Sequence, residues 1–156
     1  MRLTRFTDNA LRALLFLALD PKEIPTVGHV ARSMGMSEDH LLKVVQRLSQ
    51  LGYVQTIRGR NGGMRLARAA DEIVVGEVIR RTEDNLALVP CFDAADEGCP
   101  IAPACGLTHA VDEALQAFLT SLDRYTVADL IARRSEMRAL AHIGSDEIVA
   151  LQHAAS

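Results

Sequence analysis

The stretch TVGHVARSMGMSEDHLLKVVQRLSQL, residues 26–51, constrains the fold more than any other part of the chain. Thr26 can cap a short helix, VGHVARSM, which Gly35 ends, and Ser37 can cap a second, longer helix. Apolar residues recur at helical spacing along this second helix: Leu41, Val44, Val45, Leu48 and Leu51. Two amphipathic helices joined by a short glycine turn predict a helix-turn-helix, although the same pattern also occurs in bundles that bind no nucleic acid.

Two short β-prone segments follow the second helix. YVQTI, residues 53–57, is rich in β-branched and aromatic side chains, and MRLA, residues 64–67, can pair with it as an antiparallel hairpin. The loop between them, RGRNGG, holds glycines that permit positive φ and close approach to a phosphate, together with positive charge. The residues concerned are Arg58, Gly59, Arg60, Gly62 and Gly63, with Arg65 just beyond. The hairpin predicts the wing of a winged helix, and the alternative is a flexible, solvated hairpin.

The formal net charge of −3 conceals two oppositely charged halves. Residues 1–68 hold 11 Lys and Arg against 5 Asp and Glu, whereas residues 69–156 hold 6 against 15. A basic half is typical of a phosphate-binding surface, and an acidic half suits a sensing or assembly region that stays off DNA. The residues predicted to contact double-stranded DNA are Ser37, Glu38, Asp39, His40, Lys43, Arg58, Arg60, Gly62 and Gly63. His40 could equally be an ordinary surface histidine.

The first 19 residues, MRLTRFTDNALRALLFLAL, superficially resemble a signal peptide. Their apolar run after Arg12 is short and no small-residue cleavage site follows, so we interpret the segment as an amphipathic helix. Its expected buried face consists of Phe6, Ala10, Leu14, Leu17 and Ala18. Because no apolar run reaches the roughly 18 residues of a membrane span, we expect a soluble protein with no membrane partner.

All three cysteines lie in one segment, CFDAADEGCPIAPAC, residues 91–105. An odd number of thiols makes a poor disulfide framework, which predicts reduced cysteines in the cytoplasm. The C-x7-C-x5-C spacing of Cys91, Cys99 and Cys105 fits zinc sites poorly and suits the looser, loop-borne ligands of iron–sulfur clusters. Nearby prolines stiffen the loop, and glycines let it bend around a bulky inorganic core. The alternative is three unligated thiols in an exposed loop.

The acidic half contains one long amphipathic helix. From Leu107 onward, apolar residues alternate steps of three and four, as on a helix that pairs with its own copy. They are Val111, Ala114, Phe118, Leu122 and Tyr125. A core helix of a monomer would show the same stripe, but the half-sites of a palindromic operator require paired subunits with recognition helices about 34 to 36 Å apart. TVAD, residues 126–129, resembles a capping box and predicts another short helix.

Four segments together resemble one known family. MRLTRFTDNALRALLFLA at the start, RGRNGGMRLA in the wing, VGEVIRRTE at residues 75–83 and the three-cysteine loop are similar to the IscR/NsrR-type winged-helix regulators. The resemblance implies a homodimeric transcriptional repressor that holds one iron–sulfur cluster in each subunit. The cysteine loop and the helix ending SLDRYTVADLI are most similar to the nitric-oxide-sensing members.

Three thiolates leave one ligand position of a cluster open. The resemblance implies that Asp8 of the partner subunit fills it, with Arg12 one helical turn later orienting the carboxylate. His109, four residues after Cys105, is the alternative, because the family pattern places a histidine shortly after its third cysteine; the spacing here is one residue longer. Solvent or a small thiol is a third option, and the helix macrodipole alone would also explain an aspartate at position 8.

These interpretations predict a mainly α fold with a small β-hairpin wing, that is, a winged helix-turn-helix domain plus a long dimerisation helix. The expected divisions are 1–83 for DNA binding, 84–106 for the cysteine loop, 107–132 for the dimerisation helix and the short helix after it, and 133–156 for a C-terminal tail. The expected cofactor is a 4Fe-4S cluster, with 2Fe-2S as the alternative, and the expected signal is nitric oxide. An IscR-like regulator of redox or cluster supply and a small iron–sulfur electron carrier are the alternative functions. No residue grouping suggests catalysis, so we predict no enzyme activity.

Overall fold

The computed structural model of the chain describes residues 2–59, 62–89, 99–101 and 104–141. The α-helices are α1 (Arg5–Leu19), α2 (Val27–Ser33), α3 (Glu38–Gln50), α4 (Val75–Thr82), α5 (Gly106–Leu122) and α6 (Val127–Leu130). The strands are β1 (Val54–Ile57) and β2 (Gly63–Leu66), a 3-10 helix spans Ala70–Glu72, and residues 134–141 are helical. Within the described ranges, no helix combines the length and apolar character needed to cross a membrane.

The helix-turn-helix follows the local sequence signals. Thr26 Oγ1 accepts a hydrogen bond from the His29 backbone N–H at 3.2 Å and starts α2. Gly35 has a φ of 64°, a conformation that other residues rarely adopt, and it follows the last turn of α2. Ser37 occupies the N-cap position of α3, but its side chain makes no capping hydrogen bond within the described chain. The predicted helix pair is confirmed.

The hairpin after α3 is the predicted wing. β1 and β2 pair along their full lengths in antiparallel register. The Met64 backbone N–H donates to Pro25 O at 3.0 Å, so β2 also contacts the segment that leads into α2. Arg60 and Asn61, in the loop, lie outside the described residues.

The wing glycines are needed for different reasons. Gly59 has a φ of 116°, as predicted, but Gly62 and Gly63 do not adopt positive φ. A Cβ at Gly63 would lie only 2.5 Å from Ile24 O, and a Cβ at Gly62 would overlap Ile57 O. The expectation of positive φ is therefore wrong for Gly62 and Gly63, which instead allow the hairpin to approach the chain's own backbone.

The main hydrophobic core lies between α1, α2, α3 and the hairpin. On α1, the buried residues include Ala10, Leu14, Leu17 and Ala18, as predicted, and Phe6 is partly buried. The chain leaves this core along α5 and returns to it after α5, where Val127 and Ile131 are buried. A β-bridge between Val74 and Thr126 joins the returning segment to the start of α4.

The helix α5 packs on α4 in a second, smaller core. Leu115 and Leu119 are buried there against Val75 and Ile79. The residues predicted to form the apolar seam are only partly buried or exposed in the single chain: Val111, Ala114, Phe118, Leu122 and Tyr125. Phe118 and Leu122 pack partly against this second core, whereas Leu107, Ala114 and Tyr125 are exposed and form the free face of α5.

The segment 134–141 was predicted to be part of a C-terminal tail, and in the structure it packs on α1. Arg134 donates to Leu19 O at 2.6 Å and to Ala18 O at 2.8 Å, at the C-terminal end of that helix. The last carbonyls of a helix have no hydrogen-bond donor within the helix, and α1 has no basic residue in its own last turn. Arg134 therefore provides the charged donor for these carbonyls. Residues 142–156 lie outside the described residues.

Candidate nucleic-acid interface and cysteine site

The outward face of α3 is polar and exposed, as expected of a helix that enters a DNA groove. Four predicted contact residues are exposed there: Ser37, Glu38, Asp39 and Lys43. The face continues through exposed residues that sequence reasoning missed, namely Leu42, Gln46, Arg47 and Gln50. Leu42, Gln46 and Arg47 lie three or four positions beyond predicted contacts, and Gln50 lies a further turn along, so extending the helical period would have found them.

His40 lies differently from its neighbours on α3. Its ring packs edge-on against Phe6, with ring centroids 6.1 Å apart, and the residue is only partly exposed. Its Nε2 atom is buried and has no hydrogen-bond partner in the described part of the chain. A base contact through Nε2 would therefore require the ring to turn.

The wing carries exposed positive charge. Arg58 is exposed at the end of β1. Arg65 on β2 donates through Nε and Nη2 to Gln55 Oε1 on β1, at 3.1 and 2.9 Å, so this cross-strand pair fixes its guanidinium. Guanidinium groups at such positions can contact phosphates, which position a protein on DNA without reading its sequence. Arg60, the other predicted wing contact, lies outside the described residues.

Asp8 is connected through one arginine to the turn of the helix-turn-helix. The Asp8 side chain is 59% exposed, and Arg12 Nη1 lies 3.7 Å from its Oδ2. The same guanidinium donates through Nη2 to Met34 O at 2.6 Å, in the turn between α2 and α3. Asp8 and Arg12 line a cavity of about 450 Å³ together with Ser37 and His40.

Cys105 is the N-cap residue of α5. The backbone N–H groups of Thr108, and then of Leu107, at the N-terminal end of α5 lower the pKa of the Cys105 thiol, and the Thr108 side chain adds to the effect. A lowered pKa favours the thiolate, which is the form that binds a metal. Cys99 is exposed, and Cys91 lies outside the described residues.

The two candidate fourth ligands line different cavities. His109 lines a cavity of about 610 Å³ together with Cys105 and Asn85, whereas Asp8 lines the cavity beside α3. In the described ranges, no group of three or more His, Cys, Asp or Glu side chains could hold a metal ion. The donor chemistry still fits an iron–sulfur centre, because a thiolate-prone sulfur faces an open cavity.

An ion pair joins α4 to the end of α5. Arg80 donates through Nη1 and Nη2 to the two carboxylate oxygens of Asp123, at 2.6 and 2.7 Å. This hydrogen bonding from Arg80 lowers the pKa of Asp123. A Cβ at Gly76 would overlap the same carboxylate. Helical periodicity did not indicate this junction, because it depends on residues 43 positions apart.

Similar proteins are found by sequence. A family model described as "Rrf2: Iron-dependent Transcriptional regulator" matches residues 3–133. The HTH-type transcriptional regulator NsrR of Bacillus subtilis (strain 168) is 48% identical over 90% of this chain and 97% of its own length. NsrR of Geobacillus kaustophilus (strain HTA426) is 52% identical over 90% and 96% of the two chains. Protein aau3 of Rhizobium meliloti (strain 1021) is 40% identical over 100% of both chains.

Solved structures share the fold. T. potens IscR matches with a TM-score of 0.66 at 24% sequence identity, covering 84% of this chain and 86% of that chain. CymR, the global cysteine regulator of B. subtilis, matches with a TM-score of 0.64 at 24% identity, covering 85% of this chain and 98% of that chain. Together with the helices and the hairpin described above, these likenesses confirm the predicted winged-helix fold class.

Proposed function

Because this chain belongs to the Rrf2 family of transcriptional regulators, we propose that it is a repressor whose affinity for operator DNA is controlled by an iron–sulfur cluster that reacts with nitric oxide. Membership of the family confirms the resemblance drawn from the motifs, and it confirms the prediction of a regulator rather than an enzyme. It also favours a regulator over a small electron carrier, in which the wing and the helix pair would have no role.

DNA reading is assigned to the exposed face of α3 and phosphate contact to the wing. Gln46 lies on the face that contains Lys43, and their side chains suit adenine and guanine edges in the major groove. Ser37 and Asp39 precede them at the N-terminal end of the helix. The wing supplies Arg58, Arg60, Gly62 and Gly63, as the sequence predicted, and Arg65 joins them.

A second copy of the chain is the partner assigned to the free face of α5. Leu107 is 64% exposed, Ala114 is exposed and Phe118 is only partly covered. Pairing this face with its own copy would remove apolar surface from water. It would also place two α3 helices in one molecule, as a palindromic operator requires.

The cysteines are assigned as three thiolate ligands in each subunit: Cys91, Cys99 and Cys105. The fourth ligand is assigned to Asp8 of the partner subunit, since Asp8 and Cys105 line different cavities of a single chain. When bound, the cluster, a 4Fe-4S centre by resemblance, supplies iron that nitric oxide attacks. His109 remains the alternative ligand because it shares a cavity with Cys105, and it would suit a 2Fe-2S centre in an IscR-like regulator.

The observation that carries this proposal is the connection from Asp8 through Arg12 to Met34 O. While Asp8 is held in the partner's site, Arg12 can pair with only part of its carboxylate. Release of Asp8 frees both oxygens for Arg12, and a shift of the guanidinium moves the carbonyl that precedes α3. A 100-fold loss of operator affinity corresponds to about 2.7 kcal/mol, within the usual range of coupling between sites.

Mixed dimers test whether the carboxylate acts across the subunit boundary. One subunit carries Asp8→Ala with intact cysteines, the other carries Cys91→Ala with intact Asp8, and different tags allow their dimers to be isolated anaerobically. The cysteines of the first subunit then meet the Asp8 of the second. We expect each mixed dimer to hold one cluster with the wild-type spectrum and nitric-oxide response.

Two controls make the result interpretable. Homodimers of Asp8→Ala have no carboxylate at either site, and homodimers of Cys91→Ala lack a thiolate at both. Folded mixed dimers that hold no wild-type-like cluster would contradict ligation by the partner's Asp8. A substitution series at His109 would then test the alternative ligand.

A further inference from the structure

The start of α1 and the end of α4 are joined by buried hydroxyl groups. Thr7 and Thr82 are the buried polar residues in the described part of the chain, against a core that is otherwise apolar. Thr7 Oγ1 donates to Thr82 Oγ1 at 3.0 Å, and Thr82 Oγ1 donates to Val78 O at 2.8 Å. Both hydroxyls are thus hydrogen-bonded, as burial requires.

A carboxylate at the end of α4 extends the same set of bonds. Glu83 Oε1 accepts from the Thr4 backbone N–H at 2.8 Å and from Thr4 Oγ1 at 3.1 Å. Thr4 Oγ1 in turn accepts from the Thr7 backbone N–H at 3.2 Å and caps α1. We call these four residues, Thr4, Thr7, Thr82 and Glu83, the α1–α4 polar cluster.

The α1–α4 polar cluster is adjacent along the chain to both parts of the proposed metal site. On α1, Thr7 directly precedes Asp8, whose backbone N–H donates to Thr4 O at 3.0 Å. On α4, Glu83 is followed two residues later by the segment 85–87, which lines the cavity of Cys105. These hydrogen bonds therefore connect the first turn of α1, which contains Asp8, with the end of α4. In the same subunit, the end of α4 leads into the segment beside Cys105.

Hydroxyl pairs fix geometry in a way that apolar contacts do not. Hydrogen bonds need near-linear donors within about 3.2 Å, so a small rotation or slide of α1 on α4 would break the Thr7–Thr82 bond. Valine in place of both threonines would keep the shape of the contact, and such a double replacement costs little stability. The hydroxyls thus specify the position of α1 more than they stabilise the fold.

We propose, resting on the function proposed above, that the α1–α4 polar cluster consists of positioning residues that place Asp8 for the partner's site.

The test places Thr7→Val with Thr82→Val in one subunit of the Asp8→Ala/Cys91→Ala mixed dimer. The complete site uses Asp8 from the Cys91→Ala subunit, whereas the α1 of the other subunit carries the Asp8→Ala change and donates no carboxylate. With the valines in the subunit that donates Asp8, we expect iron release to an anaerobic chelator to be about tenfold faster. With the valines in the other subunit, we expect a smaller change. Thr120→Val, an exposed threonine on α5, is the control in both placements.

A second readout uses the cluster-free protein. Hydrogen exchange of the Asp8 amide should speed up in the Thr7→Val/Thr82→Val protein while the urea midpoint stays close to wild type. Equal iron release from both placements, or unchanged Asp8 exchange, overturns the positioning role alone. A mixed dimer that holds no cluster before the valines are introduced overturns the proposed ligation and the positioning role with it.

Discussion

At the scale of single residues, Cys105 differs from an ordinary exposed thiol. The Thr108 and Leu107 N–H groups lower its thiol pKa, so its thiolate persists at pH values where other thiols are protonated. We expect iodoacetamide to alkylate Cys105 faster than Cys99 in the cluster-free protein, with a rate that falls as pH falls through the lowered pKa. Peptide mass spectrometry between about pH 5 and about pH 9 measures both rates. Urea should abolish the difference, and identical profiles in folded protein would contradict the role of the α5 N-terminus.

Gly76 is a second residue whose importance depends on a close contact. A Cβ there would overlap the Asp123 carboxylate and lie 3.1 Å from the Asp123 backbone nitrogen. We expect Gly76→Ala to destabilise the protein by about 1–3 kcal/mol, because the α4–α5 junction must open. Urea unfolding measures the loss. Gly106→Ala is the matched control, since a Cβ at that position meets no atom within 4 Å and alanine favours a helix. Equal stability of the two variants would show that the α4–α5 junction accommodates the added methyl group at little cost, contrary to this prediction.

At the scale of elements, the sequence predicted what local patterns encode. The stripe on α3, the cap at Thr26 and the turn at Gly35 depend on neighbouring residues, and each was found in the structure. Leu115 and Leu119, which hold α5 on α4, were not singled out, because periodicity shows an apolar face but not which part of it a neighbour covers. The candidate ligands were located by spacing and resemblance, but their cavities depend on contacts across the chain.

The segment 134–141 was missed for the same reason, since its partners lie at the other end of the chain. Arg134 bonds the last carbonyls of α1 from more than a hundred positions away, at 2.6 Å to Leu19 O. We expect Arg134→Met to lower the free energy of unfolding by about 1–3 kcal/mol, because those carbonyls lose a charged donor. Arg133→Met is the control: that side chain is 77% exposed and forms a local ion pair with Glu136, three positions away. If urea unfolding gives the same free energy for Arg134→Met and Arg133→Met, Arg134 does not cap α1.

The proposed phosphate contact of the wing can be tested through the salt dependence of DNA affinity. If Arg58 contacts a phosphate, Arg58→Ala should weaken DNA binding and reduce the slope of log affinity against log salt by roughly one. Arg133→Ala, which removes the same charge from the acidic half, should leave the slope unchanged. Fluorescence anisotropy across a salt series with one duplex measures both. A slope equal to wild type for Arg58→Ala would remove Arg58 from the interface.

At the scale of the whole molecule, the path of the chain links the two oppositely charged halves. α5 leads away from the main core, the pair Arg80–Asp123 fixes its far end to α4, and Val127 returns the chain to the core beside α1. A displacement of α5 is therefore transmitted to α1 through two sets of contacts. One is the Arg80–Asp123 pair at the end of α5, and the other is the packing of Val127 in the main core. This arrangement suits a regulator whose assembly helix must set the position of its DNA-binding half.

The free face of α5 gives the last prediction. Ala114 and Gln116 are both exposed on this helix, but only Ala114 belongs to the apolar seam predicted to pair with a second copy. Glutamate at position 114 would place an uncompensated charge in a buried interface, at a cost of about 3 kcal/mol or more, equivalent to at least about a 100-fold weaker dimer. We expect sedimentation equilibrium to show Ala114→Glu as largely monomeric at concentrations where wild type is a dimer.

Gln116→Glu adds the same charge on the polar face and should leave the dimer intact. The Ala114→Glu monomer should also lose specific operator affinity while keeping salt-dependent, non-specific binding, because a single winged helix reads only one half-site. If Ala114→Glu dimerises as strongly as Gln116→Glu, the seam is not the interface. The apolar face of α5 would then need a different partner.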